Sequence, residues 1–280
     1  MRQRKKIGDI VIYIILCILV VLFFTPILFV ILNSFKGQLY IGDSPFALPT
    51  GEMFVQLENY TNGIQKTSFF RAFGWSTVIT VGSVLVILLF TSMTAWYITR
   101  RKSKLTSFLY YMFVFSMVVP FQMVMFTMSK MADTLHLNNP LGIMVLYLGF
   151  GAGLSVFMFS GFVKSIPIEI EEAALIDGCS PIKMFFTIIV PILKPTVITV
   201  AILNTMWIWN DYLLPYLTIG LSTKYKTIPV VVQYLMGSYG SKDYGALMAL
   251  LVLAIIPIII FYLCCQKYII KGVVAGAVKG

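Results

Sequence analysis

The chain is short of charge. Asp, Glu, Lys and Arg make up 11% of its 280 residues, against about 25% in a soluble domain. With 59% hydrophobic residues and a mean hydropathy of +0.91, that deficit excludes an ordinary soluble globular fold. Histidine is nearly absent. His136 stands alone, so no histidine cluster can hold a metal, and the sequence offers no paired carboxylates or nucleophile–base set for catalysis. Cysteine is scarce too. Cys17, Cys179, Cys264 and Cys265 form no disulfide or metal-binding pattern. No G-x-x-x-x-G-K-[ST] run occurs, so a P-loop cradle for ATP is missing. No obvious internal repeat or low-complexity tract is present.

What remains is apolar sequence in long runs. A bilayer crossing takes roughly 20 apolar residues. Six runs qualify: Ile10–Leu32, Ala72–Ile98, Leu105–Met128, Leu141–Val163, Pro195–Leu217 and Tyr244–Cys265. Each must be helical, because lipid offers no partner for backbone N–H and C=O groups. The expectation is an all-α membrane protein with about six transmembrane helices, forming a single domain over 1–280. The first run is too long for a signal-peptide core, and no A-x-A site follows it, so it reads as a retained anchor.

The basic residues orient the spans. With an inside N-terminus, most of the 21 Lys and Arg fall inside. They are Arg2, Arg4, Lys5 and Lys6, then Arg100, Arg101, Lys102 and Lys104, then Lys164, Lys183 and Lys194, then Lys267, Lys271 and Lys279. Both termini are then cytoplasmic, in a plasma membrane. The net charge of +10 is accounted for by anionic lipid headgroups, and no nucleic-acid partner is expected.

Two outside segments are long, 33–71 and 218–243. Loops of this length commonly bind or cover something. The second carries Gly220, Gly237 and Gly240, with Tyr225, Tyr234 and Tyr239. Charge inside the spans is almost confined to Asp211, in WIWNDYLLPYL. An intramembrane carboxylate is a functional candidate, but Asp211 also fits a solvated outer mouth. Asn204, Trp207 and Asn210 lie beside it. Asn204 and Asp211 are seven apart, which places them on one helical face, to line a solute pathway or, for Asn204, to bridge helices. Gly149, Gly153 and Phe157 repeat every four residues, a spacing that permits close helix packing or exposes backbone to a solute.

The most informative stretch is 171–195, EEAALIDGCSPIKMFFTIIVPILKP, on the inside between spans four and five. Pro167 suits a helix start. Glu169, Glu171 and Glu172 favour a helix N-terminus, and Ala173 and Ala174 give high propensity with little bulk. Gly178 ends the helix, and Ser180-Pro181 begins another. That second helix is predicted to present Ile182, Phe185, Phe186 and Ile189 on one side, and Pro191 and Pro195 to turn the chain into span five. Headgroup-lying helices carry Lys or Arg on the polar face. The first helix has four acids, counting Asp177, and no base, so it suits a groove in a protein partner.

These residues resemble a known family. Glu172-Ala173-Ala174, Asp177-Gly178 and Ile188-Ile189-Val190-Pro191 match the EAA loop of ABC-importer permeases. Cys179 stands where the family usually has alanine and Val190 where it has leucine. Trp209-Asn210-Asp211-Tyr212-Leu213-Leu214-Pro215, Thr227-Ile228-Pro229-Val230 and the chain end Gly272–Gly280 resemble the carbohydrate-type, MalG-like subunits of the maltose-permease kind. The resemblance spans the chain. It implies an ABC type I importer permease fold and a cytoplasmic coupling helix in loop 164–194, with Glu171, Glu172, Ala173, Ala174, Asp177 and Gly178 as its ATPase-coupling residues. It implies an ATPase-contacting tail at Gly276, Lys279 and Gly280. The implied partners are two ATPase subunits that hold ATP and Mg, a second non-identical permease, and an extracytoplasmic solute-binding protein that meets the loop before the last span. The chain itself would bind no cofactor, and its solute would be a sugar or oligosaccharide.

An ion-coupled secondary transporter is the alternative. Such carriers place Asp, Glu, His or Arg at mid-membrane, and only Asp211 could serve here.

Overall fold

The computed structural model describes residues 2–220, 224–236 and 242–277, with side chains from residue 9 to 268. Among the described residues there is no β-strand, only one isolated bridge between Lys36 and Phe54. Among the described residues, five helices are long and apolar enough to cross a membrane. They lie within α1 (Arg2–Ser34), α4 (Phe69–Arg100), α7 (Pro140–Val163), the run Pro181–Asn210 and α13 (Tyr244–Ala277).

The third expected span, Leu105–Met128, is broken. Its residues form α5 (Lys104–Ser116) and α6 (Phe121–Thr134), bent by 107°. Pro120 is the cause: it takes an extended conformation as the N-cap of α6, and a proline biases the residue before it away from the helix. Ser103 starts α5 with a capping box to Thr106.

Two compact units divide the chain. The first comprises 1–70 and 231–258. Here the segment after α1 is folded, with α2 (Gln38–Asp43), a short 3-10 turn and α3 (Glu58–Thr67). Asn59 donates to the carbonyls of Ser34 and Lys36 at 2.9 and 2.8 Å. The fully buried Lys36 gives its ammonium to the carbonyls of Ser44 and Pro45. Gly63 lets α3 approach Leu250 and the Ala246 carbonyl of α13, where an added Cβ would sit 3.1–3.3 Å away. Lys66 pairs with Asp243 at 2.5 Å, fixing α3 to the start of α13.

The second unit holds 71–230 and 259–280. Its centre is α7, packed against α4, α5 and the last long helix before residue 211. One apolar cluster gathers Ile79, Ile87, Ile143, Tyr147, Ile208 and Leu214. The other gathers Val156, Phe159, Val163, Phe185, Ile189 and Leu193 around Ala95. Small residues set the helix spacing, as expected where van der Waals contact rather than water expulsion drives association. A Cβ on Gly151 would lie 2.8 Å from both Asn204 Oδ1 and Ile87 Cδ1, and one on Gly153 would lie 2.7 Å from the Phe113 carbonyl. Gly149 has open space around it. The close approaches therefore fall at Gly153, which is on the four-residue repeat, and at Gly151, which is off it, but not at Gly149.

The fifth span differs from its predicted course. The helical run starts at Pro181 and ends at Asn210, as α9 (Pro181–Met184), a π turn (Phe185–Ile189) and α10 (Val190–Asn210). Pro191 and Pro195 lie within it and do not turn the chain. A proline removes an N–H and crowds the carbonyl four residues earlier. The π turn, a wider winding, sits directly ahead of Pro191 and accommodates it. Only Phe185 and Ile189 of the four predicted apolar residues are buried; Ile182 and Phe186 are exposed.

Candidate coupling site and the polar span end

Helix α8 (Glu169–Ile176) is short, and its C-terminus is closed by backbone alone. The Gly178 N–H donates to the Leu175 carbonyl at 3.0 Å, and the Cys179 N–H to the Ala174 carbonyl at 2.9 Å. This is a Schellman arrangement, with its left-handed residue at Gly178, φ +74°. Nothing lies within 4 Å of where a Gly178 Cβ would point. Ser180 then caps α9, its hydroxyl accepting from the Lys183 N–H, and Pro181 occupies the first turn. The predicted turn from one helix at Gly178 into the next at Ser180-Pro181 is present.

The six residues of the EAA stretch do not share one face. Glu172, Ala173, Asp177 and Gly178 are exposed, next to exposed Leu175 and Ile176. Glu171 and Ala174, three apart, are buried. Glu171 Oε1 accepts from Arg100 Nε at 2.7 Å, and Oε2 from Trp96 Nε1 at 3.0 Å. Arg100 also donates through Nη2 to the Ile166 carbonyl at 2.9 Å. Trp96 and Arg100 are one turn apart on α4, so a single carboxylate reads two successive turns of that helix. Both side chains of the ion pair are largely removed from solvent, 18% and 8% exposed. Glu171, named with the other ATPase-coupling residues, points inward, because α4 offers it two donors.

At the other end of α10 the polar candidates separate. Asn204 is buried and donates to the Val200 carbonyl at 2.9 Å and to Ser155 Oγ of α7 at 3.2 Å. Asp211 does not share its helical face, because α10 ends at Asn210 and Asp211 is the extended C-cap. The Asp211 carboxylate accepts from Tyr147 Oη at 3.0 Å and from the Leu213 N–H at 3.0 Å, so it starts α11 (Leu213–Thr218) and fastens the break to α7. Trp207 is 41% exposed and meets the Tyr147 ring edge-on at 5.5 Å. Asn210 is exposed, with its amide on the Met206 carbonyl. No group of three or more His, Cys, Asp or Glu that could hold a metal occurs among the described residues.

Residues 87–274 match the family described as "Binding-protein-dependent transport system inner membrane component". The chain belongs to this family. It is 39% identical over 94% of both chains to the "Probable starch degradation products transport system permease protein AmyC" of Thermoanaerobacterium thermosulfurigenes. It is 35% identical over the full length of both to the "Multiple sugar-binding transport system permease protein MsmG" of Streptococcus mutans. It is 30% identical over 92% of both to the "Melibiose/raffinose/stachyose import permease protein MelC" of Bacillus subtilis. Among solved structures, a chain of a bacterial ABC transporter involved in the import of the acidic polysaccharide alginate has the same fold. The TM-score is 0.79 at 21% identity, covering 94% of this chain and 97% of that one.

For this transport-system membrane component, the residues that sequence reasoning missed are Arg100 and Trp96. Arg100 was counted only for orientation. A signal existed in the pairing of Glu171 with Ala174 at helical spacing, but its partner lies 71 residues away. In the loop before the last span, Ser76 Oγ accepts from the Ile228 N–H at 2.8 Å and Tyr225 meets Trp75 edge-on at 4.9 Å. That loop contains α12 (Ile228–Tyr234). Gly237, Tyr239 and Gly240 lie outside the described residues, as do Lys279 and Gly280 of the tail; Gly276 is described in backbone only, within α13.

Proposed function

We propose that this chain is the permease subunit of an ABC importer, forms part of the membrane pathway for a sugar or oligosaccharide, and is driven by a separate ATPase. The observation that carries the reading is α8. It is a short helix whose outward side offers Glu172, Ala173, Asp177 and Gly178 beside exposed Leu175 and Ile176. A knob of small, acidic and apolar residues fits a protein groove better than an anionic headgroup layer.

In this reading the loop 164–194 and both termini are cytoplasmic, while 33–71 and 218–243 face the other side. The chain binds no nucleotide. Two ATPase subunits hold ATP and Mg, a second non-identical permease completes the pathway, and a solute-binding protein meets the 218–243 loop. The tail at Gly276, Lys279 and Gly280 reaches the ATPase. The names of the relatives support a carbohydrate solute. Trp207 and Asn210 are the exposed members of the pathway set, since a ring can stack on a sugar face and an amide can meet hydroxyls. Buried Asn204 shapes the wall and Asp211 holds the helix break. The ion-coupled alternative would rest on Asp211 alone, whose carboxylate accepts from Tyr147 and from the Leu213 N–H at the end of α10.

Co-purification tests the reading. The chain, expressed with its partner permease, is expected to hold the cognate ATPase through detergent extraction, and Glu172→Lys is expected to release it. An ATPase that never associates with the wild-type complex contradicts the proposal.

A further inference from the structure

We infer that Arg100 and Glu171 are positioning residues that lock α8 onto α4, making α4 a rod that carries displacement of the coupling helix to the segment around Ile228. The inference deepens the reading of α8 as an ATPase-docking helix and rests on it.

Three hydrogen bonds join the α7–α8 segment to the last two turns of α4. Two use both oxygens of Glu171, and the third holds the Ile166 carbonyl. Paired charges largely removed from water are costly to separate, because each left alone keeps its desolvation penalty. Displacing α8 therefore moves the end of α4 more readily than it breaks this cluster. A helix of 32 residues is about 48 Å long at 1.5 Å per residue, enough to cross a membrane. Near its other end Ser76, itself buried, accepts the N–H of Ile228, the first residue of α12. Between the ends Ile87 of α4 lies close against Gly151 of α7. One continuous helix thus has a polar clamp at each end. On the proposed topology, one clamp is on the ATPase side and the other on the side of the solute-binding protein. Glu171 contributes nothing to the exposed docking face.

The test uses the assembled complex with its ATPase and binding protein. ATPase affinity and solute taken up per ATP hydrolysed are measured for Glu171→Gln, Ser76→Ala, the double variant and the exposed-face control Glu172→Gln. Residues that carry coupling change it by about two- to thirtyfold. Glu171→Gln is expected to leave ATPase affinity within about twofold of wild type and to lower uptake per ATP within that range. Ser76→Ala should do the same. The double variant should fall by less than the product of the single effects, because both interrupt one link. Loss of ATPase affinity in Glu171→Gln as large as in Glu172→Gln overturns the inference, as do unchanged stoichiometry or independent single effects. If Glu171→Gln does not assemble, Trp96→Phe, which deletes one bond to Oε2, is judged by the same criteria with a smaller expected change. Failure of the underlying reading is separate: there the wild-type complex itself does not bind the ATPase.

Discussion

Gly178 offers a graded perturbation of the docking helix. Its φ of +74° lies in the left-handed region, where an L side chain is strained by roughly 1–2 kcal/mol and more when β-branched. Space is not the obstacle, since no atom lies within 4 Å of a Cβ placed there. Two bonds depend on the conformation, Gly178 N–H to Leu175 and Cys179 N–H to Ala174. In a helix of eight residues, losing them unwinds much of the docking face. Gly178→Ala should cost about 1 kcal/mol and Gly178→Val about 2 kcal/mol. Asn, which tolerates the left-handed region, should cost only a few tenths. If the docking-competent helix is the form that binds, 2 kcal/mol weakens ATPase binding roughly thirtyfold. Titrating purified permease complex with ATPase should therefore rank wild type, Asn, Ala and Val in order of falling affinity, with membrane insertion equal throughout. Asn as damaging as Val would show that the site senses side-chain bulk against the partner rather than backbone shape. Equal affinity for all four would remove Gly178 from docking.

Further expectations follow from packing and charge. Gly151→Val should lower the thermal unfolding midpoint of the detergent-solubilised protein, because its Cβ would meet Asn204 and Ile87 at 2.8 Å; overpacking of this kind costs about 1–3 kcal/mol. Asn204→Ala should destabilise by about 0.6–1.7 kcal/mol through the lost bond to Ser155, and an effect on the concentration dependence of uptake with no change in stability would favour direct solute contact. Burial pushes the Asp243 carboxyl up, but hydrogen bonds from Lys66 and the Ala246 N–H outweigh it and hold its pKa below the ordinary carboxylate value. A depressed folded pKa stabilises above the unfolded value, near 3.9, and that stability is lost as pH falls through the folded pKa. Asp243→Asn should therefore lower the unfolding midpoint at pH 7, and the difference from wild type should shrink below about pH 4.

Sequence reading recovered the helical class and most spans, because long apolar runs in lipid leave the backbone one solution. It also located α8 and its end, where propensity, acids and a glycine act within a dozen residues. It failed where distant residues decide. Four acids on one short helix looked equivalent until Trp96 and Arg100 claimed Glu171. Asn204 and Asp211 looked like one face because the spacing assumed an unbroken helix, and Tyr147 of α7 helps fasten the break at 211. Pro191 and Pro195 looked like a turn; a π turn absorbs the first within a continuous span. Pro120, inside an apolar run, gave the opposite error, since there the chain does bend. Local rules cannot distinguish these prolines, because the winding of the preceding turn differs.

Energy source and solute are tested together by uptake into proteoliposomes. These contain this chain, its partner permease and the ATPase, with solute-loaded binding protein outside and ATP inside. Accumulation of a labelled oligosaccharide that requires both ATP and the binding protein, and that persists when ion gradients are collapsed, is the result expected. Accumulation that follows a proton or sodium gradient and proceeds without the ATPase would contradict the account.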